Sequence, residues 1–167
     1  MIETTTSADG TTVAFERAGH GEPILMLGGA RDSRASAAGL AHLLAPYFTV
    51  FTIDRREHSD GSTPPIEREV EDVAAVLRVA GGEAHLYGHS SGAELALAAA
   101  ASGLSIVRLA VFDPPHGEAT ADGLAQVDAP TLVIASAPVP EVPHATTHVV
   151  DSIADSTIAV VLEEFFG

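Results

Sequence analysis

The stretch Gly88-His89-Ser90-Ser91-Gly92 decides how the rest of the chain is read. An apolar run, Ala84-His85-Leu86-Tyr87, leads into it, and an Ala/Leu-rich run from Ala93 to Ala101 leads out. The pattern G-x-S-x-G alone is cheap, because Gly and Ser are common. Between a strand and a helix it is a nucleophile elbow, a turn so tight that its central residue is strained and only glycine on either side lets neighbouring backbone pass. Such a turn lifts the Ser90 hydroxyl above the sheet edge. It also aims the Ser91 N–H, at a helix N-terminus, at any oxyanion forming beside Ser90. The plain alternative is a Gly/Ser turn that starts a helix and does nothing more.

Outward from the elbow, buried strands alternate with amphipathic helices. Toward the N-terminus, Thr11 to Glu16 alternates at period two and reads as a strand, and Ile24-Leu25-Met26-Leu27 is a fully apolar run ending at Gly28-Gly29. A helix follows with Asp32 or Ser33 as its N-cap and Ala37, Leu40, Leu43 and Leu44 facing inward. Phe48 to Ile53 is another buried strand, and Arg55 to Pro65 a loop. Glu67 to Ala80 is a helix with Val70, Val73, Leu77 and Ala80 at spacings of three and four, and its acids Glu67, Glu69, Glu71 and Asp72 read as a solvated start.

Beyond the elbow, Ile106 to Phe112 is a strand ending at Asp113-Pro114-Pro115, and His116 to Asp128 is short and polar. Pro130 to Ile134 and Thr146 to Val150 are the last two strands. Ile158, Val161, Leu162 and Phe165 line a final helix capped by Asp155 or Ser156. This order predicts an α/β fold over 1–167 as a single domain: a mostly parallel, doubly wound sheet with helices on both faces and ligands at the carboxyl ends of the strands.

Composition narrows the function. The chain has 167 residues, no cysteine and a formal net charge of −15, with every non-histidine base an arginine. Disulfides and thiol catalysis are excluded. The charge repels nucleic acid and anionic membrane surfaces, so neither is expected as a partner. The start, Met1-Ile2-Glu3-Thr4, has no basic or apolar signal features, so a cytoplasmic setting is expected, and the Ala- and Arg-rich usage suggests a GC-rich bacterial source.

The arrangement resembles the α/β-hydrolase family over nearly the whole chain. The pieces that carry the resemblance are Ala8–Phe15, Leu27-Gly28-Gly29-Ala30, Thr52-Ile53-Asp54-Arg55-Arg56, the elbow, Phe112-Asp113-Pro114-Pro115 and Ala129–Ile134. It implies Ser90 as nucleophile and an oxyanion hole formed by the Ala30 and Ser91 N–H groups, approached over Gly29. Three departures stand out. The family's helical cap between the strands ending near Asp113 and starting near Pro130 has no room here, so the site lacks its own lid and a second copy of the chain is expected to cover it. In the loop after Ile134 only Glu141 could serve as the family's acid; the end of the preceding strand supplies the alternative, Asp113. The loop Asp151–Asp155, where the family carries its catalytic His, contains none.

A serine nucleophile needs a base within hydrogen-bond reach. His148 is nearest the expected place, although inside a strand, and His144 precedes it. His58 and His116 lie on loops at the carboxyl edge and His89 lies in the elbow itself, so these three are candidates for substrate contact, together with Gly29. His20, His42 and His85 sit away from that edge. No metal site or cofactor is expected.

Three functions follow, all with a small-molecule partner. One is serine-dependent hydrolysis of an ester, thioester or lactone of a small hydrophobic metabolite through Ser90, Asp113 and His148. Another is a cyclisation, elimination or isomerisation of the kind found in secondary metabolism, run by the oxyanion hole with Asp and His acid–base groups. The third is ligand binding without catalysis.

Overall fold

The structure, a computed structural model, describes residues 1–30, 32, 34–56, 62–115, 118–136, 145–150 and 154–167, with the side chains of 34, 35 and 118–121 excepted. Eight strands form one sheet: β1 (Ile2–Thr6), β2 (Thr12–Gly19), β3 (Glu22–Leu27), β4 (Phe48–Ile53), β5 (Ala84–His89), β6 (Ile106–Phe112), β7 (Thr131–Ala135) and β8 (Ala145–Val149). Their spatial order is β1-β2-β4-β3-β5-β6-β7-β8. Strand β2 is antiparallel to both of its neighbours, and every pairing from β4 through to β8 is parallel.

Five helices connect them: α1 (Arg34–Leu44), α2 (Ile66–Val79), α3 (Ser91–Ala101), α4 (Glu118–Ala125) and α5 (Asp155–Phe166). The central strands are apolar at successive positions because helices cover both sheet faces. On one face Leu25, Leu86, Leu109 and Val133 pack with Val73 and Val76 of α2, with Leu95 of α3 and with Leu124 of α4. On the other, Met26, Tyr87, Phe112 and Ile134 pack with Leu40 and Leu44 of α1 and with Ile158 and Leu162 of α5.

Several expectations need correction. Strand β1 reads as polar, Ile-Glu-Thr-Thr-Thr, and exists because its backbone pairs with β2 at the sheet edge. The polar stretch 116–128 contains helix α4, whose Leu124 is buried. No cap domain occupies that connection: α4 has eight residues, and its Gly123 lies against Leu97 of α3. Leu43 faces outward, at 40% exposure. The Asp32 carboxylate accepts the Gly29 N–H at 2.7 Å, back toward β3. Ser33 lies outside the described residues. Helix α5 starts at Asp155 itself, with Ala154 at the cap position and no side-chain cap bond.

The largest correction concerns the acids of α2. Glu69 and Asp72 are buried, at 4% and 5% exposure, rather than solvated. Burying a carboxylate is costly unless it is paired. Arg55 meets Glu69 in a two-pronged pair, Nε to Oε1 at 2.8 Å and Nη2 to Oε2 at 2.9 Å. Arg56 Nε meets Asp72 Oδ2 at 2.7 Å, while its Nη1 reaches Asp9 Oδ2 at 2.8 Å. The two arginines that follow β4 therefore tie the carboxyl edge of the sheet to α2 and to the β1–β2 turn.

Candidate active site at the carboxyl edge

Ser90 closes β5 with φ +55° and ψ −124°, a conformation that a non-glycine residue adopts only under constraint. The constraint is visible. The Ser90 N–H donates to the Phe112 carbonyl at 3.0 Å, and the Ser90 carbonyl accepts the Ala93 N–H at 2.9 Å. A Cβ on Gly88 would overlap the Gly92 carbonyl, and a Cβ on Gly92 would overlap the carbonyls of Leu27 and Gly28. Both glycines of the motif are thus required by close backbone approach, one within the elbow and one against β3. Ser90 itself is exposed.

Beside the elbow, β3 runs out through Gly28-Gly29-Ala30. The β3–β5 register pairs Leu27 with Gly88, which brings this loop alongside Ser91. The Ala30 N–H donates to Ser91 Oγ at 2.8 Å, and Arg55 Nη1 donates to the same oxygen at 3.0 Å. The Ser91 N–H is the first of α3, among the N–H groups that have no acceptor within their own helix. Two backbone donors from different elements therefore lie at Ser91, the residue after Ser90: its own N–H and that of Ala30, which its hydroxyl engages. The part of Arg55 in this arrangement is not foreshadowed by the motif. The available signal is an arginine pair one residue beyond a strand that ends at the carboxyl edge.

Asp113 ends the neighbouring strand β6, and with φ +42° it is the other non-glycine residue of left-handed backbone among the described residues. Its N–H donates to the Ile134 carbonyl at 2.9 Å, and its Oδ1 accepts the Ser136 N–H at 2.8 Å. The carboxylate thus braces the start of the loop after β7.

The histidines separate clearly. His89 stacks on Phe112, ring centres 5.1 Å apart, with Nδ1 3.8 Å from Asp32 Oδ2. His148 does not reach Ser90. The registers align His89 with Phe112, Phe112 with Ile134 and Ile134 with His148, so three strand spacings separate them. At about 4.8 Å each that is about 14 Å, beyond the span of an imidazole and a hydroxymethyl group. His148 is also exposed, on the edge strand. His85 is buried near the opposite, amino end of β5, where Nε2 lies 3.0 Å from Glu22 Oε2. His20 and His42 are exposed away from the edge. His58, His116, His144 and Glu141 lie outside the described residues. Among the described residues no imidazole is hydrogen-bonded to Ser90, and no group of three His, Asp or Glu side chains is arranged to hold a metal.

Chemically, the arrangement offers an exposed serine on a strained turn, the N–H groups of Ser91 and Ala30 meeting at the next residue, and a carboxylate at the end of the next strand. No helix among the described residues is long and apolar enough to cross a membrane.

Comparison with known proteins agrees with this geometry. The family model described as "Alpha/beta hydrolase family" matches residues 20–160. A crystal structure of an alpha/beta hydrolase from Sphaerobacter thermophilus superposes with a TM-score of 0.85 at 32% identity, covering 99% of this chain and 100% of that one. An esterase from Rhodococcus superposes with a TM-score of 0.76 at 17% identity, covering 99% and 98%. A bottromycin epimerase, in complex with bottromycin A2, superposes with a TM-score of 0.71 at 19% identity, covering 98% and 96%. The last two likenesses concern the fold alone. Among curated proteins the sequence has no significant match.

Proposed function

The chain belongs to the alpha/beta hydrolase family, and from that premise we propose that it is a serine hydrolase of a small ester, thioester or lactone. The observation that carries this reading is the backbone of Ser90. A φ of +55° at a non-glycine residue is costly, and it supports a role for Ser90 beyond that of a plain turn, with the N–H groups of Ala30 and Ser91 as the proposed oxyanion donors. Ser90 Oγ attacks the acyl carbonyl, and the tetrahedral oxyanion is held by those two N–H groups. The proton of Ser90 passes to a base, for which His58, His89 and His116 are the candidates, and on to the leaving group as its bond to the acyl carbon breaks; water then attacks the acyl-enzyme, frees the acid and returns the proton to Ser90. Asp113 stands at the end of the adjacent strand as the acid of the site.

The test is labelling by a fluorophosphonate probe together with turnover of p-nitrophenyl esters. The wild-type protein is expected to be labelled and to release p-nitrophenol. Ser90→Ala is expected to lose both. Labelling that survives in Ser90→Ala, or its absence from the wild type, overturns the reading.

A second reading rests on one observation: among the described residues no base is hydrogen-bonded to Ser90, whereas Asp113 is the other residue of left-handed backbone at the edge. In this reading Asp113 moves a proton at carbon while the same N–H groups hold an enolate, giving an isomerisation, elimination or cyclisation. It predicts no fluorophosphonate labelling and an activity lost in Asp113→Asn.

A further inference from the structure

On the α1/α5 side of the elbow a pocket of about 200 Å³ opens between the carboxyl ends of β3, β5 and β6 and the first turns of α1 and α5. Its apolar part is made by Met26, Leu40, Phe112 and Ile158. Its oxygen-bearing side chains are Asp32, Asp155, Tyr87 and Ser36, and His89 also lines it.

Tyr87 is the informative member. It is only 5% exposed, and its hydroxyl has no hydrogen-bond partner among the described residues. A buried phenol ordinarily finds one. Burial first, then the nearby carboxylates of Asp155 and Asp113, hold this phenol well above its ordinary pKa, so it stays neutral. Tyr87 lines the pocket, and its hydroxyl is not among the fully enclosed unpartnered atoms, so it is open to a ligand there.

The two carboxylates are seated by glycines. A Cβ on Gly39, in the middle of α1, would overlap the Asp155 carboxylate. A Cβ on Gly29 would come within 2.9 Å of Asp32 Oδ2, and one on Gly28 within 3.1 Å of Asp32 Cβ. Glycine inside a helix costs about 0.5–1 kcal/mol relative to alanine. At position 39 that cost leaves room for one carboxylate oxygen at the pocket wall.

Each acid stands near a helix N-terminus, which carries roughly half a positive charge against the full negative charge of the carboxylate. The pair therefore leaves these residues net negative, in a chain whose formal charge is −15. Two carboxylates and a phenol oxygen present three acceptors, and a protonated primary amine presents three donors and no acceptor. An apolar cavity of about 150 Å³ holds benzene, so about 200 Å³ suits one ring with a short amine-bearing chain.

The geometry points to a binding site for a small molecule that carries a protonated amine on an apolar body of about one ring. The site stands whether or not Ser90 is a nucleophile.

Isothermal titration of the Ser90→Ala protein with 2-phenylethylamine and with 2-phenylethanol tests it, since the two probes match in size and differ in charge. The amine is expected to bind about tenfold more tightly than the alcohol, a difference of about 1.4 kcal/mol. Asp155→Asn should weaken the amine severalfold and leave the alcohol unchanged, and Tyr87→Phe should weaken the amine severalfold. Gly39→Ala, a helix-favouring change, should do the same in a protein that unfolds no earlier than its parent. Glu83→Gln removes an exposed acid beside the amino end of β5 and should change nothing. Equal affinity for the two probes, binding of neither, or an equal loss in Glu83→Gln overturns the proposal.

Discussion

The Ala30 N–H donates to the Ser91 hydroxyl oxygen across 2.8 Å, tying the loop after β3 to the first residue of α3. Arg55 holds the same oxygen from the end of β4, at 3.0 Å. A side-chain oxygen thus occupies the donor that the hydrolase reading assigns to the reaction's oxyanion. Before Ala30 can meet an oxyanion, this hydrogen bond has to open, at a net cost of about 1 kcal/mol. Ser91→Ala leaves both backbone N–H groups in place and removes the occupant. Its expected effect is a rise of about fivefold in the rate of fluorophosphonate labelling. A slower rate would mean that the hydroxyl positions the loop rather than competing with substrate.

The buried pairs on α2 make a prediction about stability. Glu69 and Arg55 are 5% and 10% exposed at their side chains, so little water is available to replace a lost partner. Glu69→Gln leaves the guanidinium enclosed without its counter-charge. The expected loss is about 3 kcal/mol, as for breaking other buried pairs from one side. Urea unfolding measures it. A loss below about 0.5 kcal/mol, the range of ordinary surface changes, would show that the pair does not hold α2 to the sheet.

These pairs also show where reading the sequence alone stops. The elbow, the apolar runs at Ile24–Leu27 and Phe48–Ile53, and the helix faces of Val73 and Leu77 are local periodicities, and each became the element that its pattern implied. Glu69 and Asp72 look like solvated acids because their partners, Arg55 and Arg56, stand on another element and meet them only in the folded chain. Strand β1 has no apolar stripe, since its stability comes from backbone pairing with β2. The Tyr87–Asp32–Asp155 pocket joins β5, the β3–α1 loop and α5, and no spacing in the sequence brings these three together. His148 was near the expected base in sequence, and only the strand registers reveal its separation from Ser90.

That separation is itself testable. With about 14 Å between the aligned positions of β5 and β8, His148→Gln should leave fluorophosphonate labelling unchanged. At least one of His58→Gln, His89→Gln and His116→Gln should abolish it. If His148→Gln were the change that silenced labelling, the arrangement of β8 described above would be incorrect for the active protein.

Two glycine-to-alanine substitutions should have opposite signs. At Gly92 the new methyl would overlap the carbonyls of Leu27 and Gly28, so α3 must move away from β3. The expected destabilisation is about 1–3 kcal/mol, the usual range for overpacking. At Gly123, inside α4, the methyl would sit 3.4 Å from Leu97 Cβ, an ordinary contact. There the gain in helix propensity should dominate, raising stability by about 0.5–1 kcal/mol. Thermal unfolding of the two variants decides the matter, and matching signs would contradict the packing described.

The Asp9–Arg56 contact predicts part of the response to acid. The Arg56 guanidinium, with the Thr11 N–H, holds the Asp9 carboxyl well below the usual carboxylate range. A pKa depressed on folding stabilises the folded state at pH values above the ordinary Asp value of about 4, and that contribution fades as pH falls through the folded value. Asp9→Asn removes it. The variant should therefore melt below the wild type at pH 7, and the gap should shrink steadily from about pH 4 downward. A gap that stayed constant to pH 2 would show that Asp9 acts through something other than its charge. Asp9 is exposed and Arg56 also pairs with Asp72, so the effect at neutral pH should be smaller than that of Glu69→Gln.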